Sequence, residues 1–434
     1  MPISLKNIAL ALMLATALAG CNDTLDSVDL SHVKNKVEQP LPSRIIAEMQ
    51  KKNMPRNSPI MMRIFKEEGV LEVWKAKADN RFDMIASYSI CAWSGKLGPK
   101  IKEGDRQAPE GFYNLTPAHL NPNSKYYLAI NTGFPNRYDQ ANGRTGSNLM
   151  IHGACSSSGC YSMTDEQVLE IYAFARDAFK GGQISVQLQA FPFRMTAENM
   201  ARHRDSAHAD FWKMLKVGYD NFEVTKRPPE VAVCEKKYVF NQEINGSISG
   251  AAAACPPMST PAALNVALVS HQKNYELAYA KAMKKLDGMV WYEPTEAERK
   301  AVVADKRKGR DIAYAPTGTS LEAGKLMKRE QFEALLAKRT APEGTPATTV
   351  LASTSARPQS AAERMKQDRL PEAQSAAPAQ APLSPSSQPA ATETATADAS
   401  STTVPIPTAN PLAYAAPQVS APGKRPFWKI WASE

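Results

Sequence analysis

Residues 151–163 read IHGACSSSGCYSM and place a histidine, His152, and a cysteine, Cys160, in one short loop rich in glycine and serine. A cysteine is a good nucleophile only as the thiolate, and a nearby imidazole is the commonest group that removes its proton. Small residues around the pair let a substrate backbone approach and leave backbone N–H groups free to bind an oxyanion. The stretch therefore predicts a thiol–imidazole catalytic centre.

Further sequence elements accompany this loop in order along the chain. Residues 94–100 read SGKLGPK, and residues 103–113 read EGDRQAPEGFY. The second run looks like the G-D-x-x-x-P-E-G element of the L,D-transpeptidases, the YkuD-type enzymes that remodel peptidoglycan. Residues 131–138 and 143–151 resemble the strand and loop that lead to the catalytic histidine of that family. Because the resemblance covers residues 58–195 in order, chance agreement is remote.

The resemblance implies a role for each residue of the loop. Cys160 is the acyl-accepting nucleophile, and His152 is the base that takes its proton and later serves the incoming amine or water. The backbone amides of Gly159 and Cys160 are candidates for the oxyanion hole. Ser157, Ser158 and Gly153 are expected to line the substrate and help to bind it. The resemblance implies no metal ion and no other cofactor.

The chain departs from the commonest pattern of the family at two positions. Many members have histidine immediately before Gly-Cys, where this chain has Ser158, and many have arginine two residues after the nucleophile, where it has Ser162. Recognition of the donor carboxylate by the usual residue is therefore not expected. The short loop and its Tyr-x-Met-Thr ending resemble the lipoprotein-amidase-like branch, which includes enzymes that hydrolyse the bond between peptidoglycan and an attached envelope lipoprotein.

The resemblance implies a peptidoglycan-modifying cysteine transferase. It would form a thioester on Cys160 at the L-centre of a stem-peptide diamino acid and pass the acyl group to an amine, either to cross-link the wall or to attach an envelope lipoprotein or outer-membrane protein. Two alternatives stay open. One is a hydrolase of the same family that releases lipoprotein from peptidoglycan, and the other is a wall-binding envelope lipoprotein without catalysis.

Two other interpretations of the loop compete with the catalytic one. His152, Cys155 and Cys160 could be ligands of a zinc ion, although no fourth ligand is nearby and the spacing matches no familiar zinc motif. Alternatively, Cys155 and Cys160 could form a structural or regulatory disulfide. The accompanying family elements favour catalysis.

The fold expected is a mainly β catalytic domain over residues 58–195, an L,D-transpeptidase-like β-sandwich with one packed helix. Residues 60–66 and 71–75 are β-prone runs separated by Glu-Glu-Gly, which indicates a hairpin. Further strands are predicted at residues 82–92, 126–131 and 184–190, the last half-buried because its apolar residues alternate. Thr164 and Gln167 form a capping-box pattern that starts a helix, and Gly181 ends it.

The segments on either side of residues 58–195 are expected to lie outside the catalytic domain. Residues 21–57 read as a spacer, with a helix near residues 45–52, and residues 196–339 as an α-rich extension with helices at 200–221 and 261–286. Residues 340–434 are dominated by Ala, Pro, Ser and Thr, so we expect a disordered tail. It ends in a basic and aromatic patch at residues 424–431.

The first residues predict the compartment. Lys6 precedes an apolar run at residues 8–17 that is too short to span a bilayer, and Leu18-Ala19-Gly20-Cys21 looks like a lipoprotein processing site. Removal of residues 1–20 as a signal peptide would leave Cys21 as the lipidated terminus, anchored to the inner or outer membrane and facing the periplasm. An ordinary secretory signal is the alternative. In such an oxidising compartment Cys91, Cys155, Cys234 and Cys255 can pair; Cys234 with Cys255 is the preferred pair, and Cys155 could stay reduced.

Charge adds a weaker argument about partners. The formal net charge of +9 suits an anionic surface such as the cell wall or phospholipid headgroups. No arginine-rich motif or basic stripe interleaved with aromatic residues indicates nucleic acid. The partners expected are peptidoglycan stem peptides, an envelope protein acceptor and the membrane that holds the anchor.

Overall fold

The predicted hairpin begins the first of two five-stranded sheets. The structure, a computed structural model, describes residues 35–155, 157, 159–309, 321 and 324–340. Ile60–Phe65 (β1) and Val70–Ala76 (β2) pair antiparallel, with Phe65 opposite Val70, and the turn passes through Gly69 at φ +63°. The hairpin is confirmed. The sheet also contains Phe82–Ser89 (β3), Gly111–Leu115 (β5) and Val186–Phe191 (β10), in the order β3-β2-β1-β10-β5, and β1 and β10 run parallel.

The second sheet consists of very short strands and holds the predicted loop. Its order is β4-β9-β8-β7-β6, and only β8 and β9 are parallel among the pairs of this sheet that the structure describes. The strands are Ala92–Trp93 (β4), Leu120–Asn121 (β6), Ala129–Asn131 (β7), Met150–His152 (β8) and Tyr161–Ser162 (β9). The predicted strand at 82–92 is therefore divided, since β3 ends at Ser89 and β4 belongs to the other sheet.

One helix joins the two sheets. Asp165–Lys180 (α3) begins at Thr164, whose hydroxyl accepts the Gln167 N–H while the Gln167 side chain accepts the Thr164 N–H, and it ends before Gly181. The capping box and the helix are confirmed. The helix contacts β1, β7 and β8, and its residues Val168, Ile171 and Ala175 are buried. A mixed β domain with helical parts is thus established.

The outer face of the first sheet is covered by another helix. Ala209–Thr225 (α5) places Glu223 2.7 Å from the Arg63 guanidinium and Phe222 5.0 Å, ring to ring, from Trp74. All six residues of β10 are buried as a result, so the prediction of a half-buried strand is wrong. The Gln187 side chain, expected to face solvent, donates to the Pro229 carbonyl at 2.9 Å, and the Gln189 side chain donates to Gln187.

The segments on either side of the catalytic region pack onto it. Ser43–Lys51 (α1) follows a 3₁₀ turn at Lys36–Glu38, and Ile45 and Met49 join the core. The Arg176 guanidinium of α3 donates to the carbonyls of Val37 and Gln39, at 2.7 Å each. Contacts therefore cross residue 57 as well as residue 195. The predicted domain bounds of 21–57, 58–195 and 196–339 stay predictions.

The region after residue 195 mixes helices with three two-stranded sheets. The helix predicted at 200–221 is two helices, because the chain leaves helical geometry between Ala197–Arg202 (α4) and α5, whereas the one at 261–286 is confirmed as Ala262–Lys285 (α6). The other described elements of this region are Glu296–Arg307 (α7), Arg329–Thr340 (α8), and the pairs Val231–Cys234 with Lys237–Phe240 (β11, β12), Glu243–Ile244 with Met258–Ser259 (β13, β14), and Met289–Tyr292 with Lys325–Lys328 (β15, β16). The short helix Arg137–Ala141 (α2) lies earlier in the chain, between β7 and β8.

The described residues up to Leu336 belong to one compact unit, and a second unit begins at Ala337, of which the description covers only the end of α8. None of the helices in the described ranges is both long and apolar enough to cross a membrane. The predicted signal peptide, Cys21, the tail after residue 340 and its basic and aromatic end lie outside the described residues.

Candidate active site

The parallel strands β8 and β9 are interior strands of the second sheet, and they position His152 and the Cys160 that directly precedes β9. Ile151 lies opposite Tyr161 and His152 opposite Ser162. Cys160 directly precedes β9, and its Sγ accepts the Met150 N–H at 3.4 Å. Because alternate residues of a strand share a face, Met150 and His152 point to the same side of β8. The predicted base therefore lies on the same side of β8 as the Met150 side chain, two residues from the Met150 N–H that contacts the Cys160 sulfur.

The hydrogen bond of His152 defines which ring nitrogen acts as the base. The side chain is 3% exposed, and its Nδ1 lies 2.6 Å from the Gly153 carbonyl oxygen. Since a carbonyl oxygen only accepts hydrogen bonds, Nδ1 carries the proton and the lone pair of the neutral ring is on Nε2. Burial lowers the pKa of His152, while the Gly153 carbonyl and the Asp165 carboxylate act in the opposite direction. A neutral imidazole with a free Nε2 is the form that a general base requires.

An aromatic side chain that the sequence analysis did not single out covers this base. The rings of Tyr126 and His152 lie 4.6 Å apart, centroid to centroid, and are inclined by 31°. The Tyr126 side chain is itself about half exposed, and its backbone carbonyl accepts the Gly153 N–H at 3.1 Å. The residue thus separates the imidazole from solvent. Its only signal in the sequence was the strand predicted at 126–131, of which β7 occupies Ala129–Asn131.

The Cys160 thiol is half-buried, and burial raises its pKa. Two features lower the pKa in part: the Met150 N–H that points at Sγ and the positive charge of Lys100. The resting group is therefore a protonated thiol at neutral pH, for which His152 remains the predicted base.

Ser157 stabilises the loop that connects β8 and β9 and contains Cys160, which we call the nucleophile loop. Its hydroxyl donates to the Cys160 carbonyl at 2.6 Å, accepts the Cys160 N–H at 3.1 Å and accepts the Ser94 hydroxyl at 3.2 Å. One of the two amides predicted for the oxyanion hole is thus occupied by a side chain in this structure. The predicted contacts of Ser157 with substrate stay predictions, and Ser158 lies outside the described residues.

Two glycines of the loop are required by geometry. Gly159 has φ +113°, a conformation that side-chain-bearing residues rarely adopt. A Cβ atom on Gly153 would lie 2.3 Å from Asp165 Oδ1 and 2.9 Å from the Tyr126 carbonyl oxygen. Asp165 needs that space, because its Oδ1 accepts the Ala154 N–H at 2.9 Å and fixes the start of the loop to α3.

A disulfide between Cys91 and Cys155 anchors the middle of the loop. Their Cα atoms are 5.1 Å apart, and Cys91 directly precedes β4. The expectation that Cys155 could stay reduced is therefore wrong, as is a Cys155–Cys160 bond, since Cys160 is free. A disulfide sulfur is also not an available zinc ligand, and within the described ranges no three His, Cys, Asp or Glu side chains group as a metal site would require. The preferred pair Cys234–Cys255 is confirmed.

The G-D-x-x-x-P-E-G element builds the wall beside the nucleophile. Asp105 accepts the backbone N–H groups of Ile101, Lys102 and Gln107 at 2.9–3.0 Å and pairs with the Lys100 ammonium. Glu110 is buried, where it accepts Lys66 Nζ at 2.9 Å, the Gly98 N–H at 2.8 Å and the Trp212 indole N–H at 2.9 Å. Both carboxylates of the motif therefore act as internal acceptors that shape the segment 98–110.

Comparisons with known proteins identify the family of the chain. The model of the YkuD family, L,D-transpeptidase catalytic domain, matches residues 66–186. A protein of Escherichia coli K12 named "Putative L,D-transpeptidase YafK" is 48% identical over 191 residues, which cover 44% of this chain and 77% of the relative, and its counterpart in strain O157:H7 matches equally. The chain belongs to the L,D-transpeptidase (YkuD) family, whose membership supports a transpeptidase function on peptidoglycan.

The solved structures that match are less similar to this chain in sequence than the relatives from Escherichia coli. The helical cell shape determining protein Pgp2 of Campylobacter jejuni is 20% identical, with a TM-score of 0.26, and the match covers 42% of this chain and 68% of that one. Bd1075 of Bdellovibrio bacteriovorus is 19% identical, with a TM-score of 0.22 over 39% of this chain and 61% of that one.

Proposed function

We propose that the chain is a cysteine acyl transferase that acts on peptidoglycan stem peptides through a thioester on Cys160. The observation that carries the proposal is the hydrogen bond from His152 Nδ1 to the Gly153 carbonyl, 2.6 Å long, in a loop whose Cys160 thiol, directly before the neighbouring strand β9, is free. It leaves Nε2 as a base in a site where the thiol would otherwise stay protonated.

The first half of the reaction forms the acyl-enzyme. His152 Nε2 takes the proton from Cys160 Sγ as the sulfur attacks the carbonyl at the L-centre of the diamino acid of the donor stem. The carbonyl becomes a tetrahedral oxyanion, for which the Gly159 N–H is the candidate donor. When the amide bond breaks, the imidazolium gives its proton to the leaving amine, and the acyl group stays on Sγ as a thioester.

The second half resolves the thioester. An acceptor amine attacks the thioester carbonyl while Nε2 removes one of its protons; the C–S bond then breaks, and the proton returns to Sγ. An amine from a second stem gives a cross-link, an amine from an envelope protein gives a tether, and water in place of the amine gives hydrolysis.

Mass spectrometry of the products tests the proposal. Wild type is incubated with a purified tetrapeptide donor, with and without a competing amine, and we expect a thioester adduct on Cys160 and an amine-containing product. Cys160→Ser and Cys160→Ala are matched controls in which both disulfides remain. Products equal to those of wild type from either variant would refute the enzymatic proposal, whereas water-derived product alone, with release of wall-linked lipoprotein, would indicate the hydrolase.

The proposal extends to the place where the chemistry occurs. Processing at Gly20-Cys21 would leave a lipid-anchored enzyme in the periplasm, and the two disulfides support an oxidising compartment. Membrane fractionation of wild type and Cys21→Ala, with the mass of the mature terminus, tests this directly. An unmodified terminus elsewhere than Cys21 would contradict it.

A further inference from the structure

A tight turn of the segment 98–110 lies directly against the nucleophile loop. The Asp105 carboxylate gathers the amides on both sides of it, and Arg106, the next residue, is held at φ +52°. A Cβ atom placed on Gly159 would be 3.9 Å from Arg106 Cα. The turn therefore sets the backbone of Arg106 beside the residue that precedes Cys160.

The guanidinium of Arg106 is available to a ligand. Arg106 is exposed and forms no hydrogen bond or ion pair within the described residues, although its charge interacts electrostatically with the Glu296 carboxylate. Lys100, the buried cation of the same segment, is engaged, because its ammonium binds Asp105 and the Lys102 carbonyl. Arg106 is thus a charged group at the rim of the site whose hydrogen-bonding capacity is unused within the described protein.

The position two residues after Cys160, where many family members carry arginine, does not provide a cation for carboxylate binding in this chain. Ser162 is 0% exposed and lies in β9 between His152 of β8 and Ala92 of β4. A serine carries no positive charge, so Ser162 does not supply the guanidinium that would pair with a carboxylate. Carboxylate recognition must therefore come from another segment, and Arg106 is the cation whose backbone adjoins the nucleophile loop.

We infer that Arg106 binds a carboxylate of the donor stem peptide and so determines which stems are accepted. The planar guanidinium matches a carboxylate with two parallel N–H···O bonds, which an ammonium does not reproduce. The inference rests on the proposed function. The carboxylate belongs either to the leaving residue or to the D-centre of the diamino acid, and the two sources share the same chemistry.

Kinetics with matched donors test the inference. Wild type, Arg106→Ala, Arg106→Lys and Lys102→Ala are assayed on a tetrapeptide donor and on two donors amidated at one or the other carboxylate. We expect Arg106→Ala to raise KM for the free donor roughly ten- to a hundredfold, as loss of a charged hydrogen-bonding group does, with a smaller effect on kcat. Arg106→Lys should restore part of the loss, and Lys102→Ala, an exposed cation in the same segment, should behave as wild type.

The amidated donors identify the source. The donor whose amidation raises the wild-type KM, and on which Arg106→Ala has no further effect, carries the recognised carboxylate. Equal loss on all three donors, or no loss on any, would overturn the inference. Arg106→Gly, which tolerates the positive φ, replaces Arg106→Ala if the latter does not unfold cooperatively. Absence of turnover by wild type itself would count against the proposed function instead, so the two failures are distinguishable.

Discussion

The ring of Tyr126 lies over the imidazole of His152, with 4.6 Å between their centroids. Desolvation is the largest of the effects on the His152 pKa, and it favours the neutral ring. The Tyr126 ring therefore helps to keep His152 unprotonated in slightly acidic solution, where a solvated histidine, with a pKa of about 6.5, would become charged.

Replacing Tyr126 by alanine should narrow the pH range of activity. Without the ring, water reaches the imidazole, and the pKa of His152 rises toward its ordinary value. More of the base is then protonated at low pH, so the acidic limb of the kcat/KM profile should move to higher pH. Tyr126→Phe keeps the ring and serves as the control. An unchanged acidic limb in Tyr126→Ala would show that the protein core alone desolvates His152.

Replacing His152 by glutamine should remove the base while keeping a polar side chain in its place. We expect turnover to fall by roughly 10²–10⁴-fold, the usual contribution of a positioned base. Stopped-flow measurement of thioester formation and of its aminolysis should show losses in both steps, because the same nitrogen serves each. A loss in one step alone would assign the other proton transfer to a different group.

Replacing Lys100 by methionine should make the nucleophile harder to ionise. The positive charge of Lys100 favours the thiolate, so its loss should raise the pKa of Cys160 further above the ordinary thiol value of about 8.5. The pH dependence of iodoacetamide alkylation measures this pKa, with the midpoint expected to move to higher pH. Lys102→Met removes an exposed charge from the same segment and should leave the midpoint in place. A midpoint shared by Lys100→Met and wild type would contradict the prediction.

Removing the Cys91–Cys155 disulfide should affect stability and catalysis together. The bond spans a sequence separation of 64, for which chain entropy predicts a loss of about 4 kcal/mol in the free energy of unfolding. Cys91→Ser/Cys155→Ser should also loosen the loop that holds Cys160 and lower kcat. Cys234→Ser/Cys255→Ser opens a separation of 21, with a loss of about 3 kcal/mol expected and kcat retained. Denaturant unfolding and steady-state kinetics compare the two double variants. Equal effects on kcat would show that the Cys91–Cys155 bond has no particular role in catalysis.

Features determined by neighbouring residues were predictable from the sequence. The β1–β2 hairpin depends on a local turn, and α3 depends on the side chains of Thr164 and Gln167 at its own beginning. The candidate pair of Cys160 and His152 was identified because only seven residues separate them and a family motif surrounds them. The structure adds that His152 lies in β8 and that Cys160 directly precedes the parallel strand β9.

Features determined by distant segments were not predictable. Strands of two or three residues such as β4 and β9 carry no periodicity, and they exist because the rest of the sheet pairs with them. Gln187 is polar and was expected to face solvent, but it is buried and its side-chain amide donates to the Pro229 carbonyl. The partner of Cys155 lies 64 residues earlier, and nothing in the spacing of four cysteines selects it.

The bond between Cys91 and Cys155 also bears on how the protein is prepared. A chain produced in a reducing cytosol would lack it, whereas one folded in an oxidising compartment would have it. The two preparations would have the same sequence, and their masses would differ by only two hydrogens for each disulfide. They would nevertheless differ in how firmly the segment before Cys160 is held to β4. Specific activity is therefore comparable between laboratories only when the thiol content of the sample is stated with it.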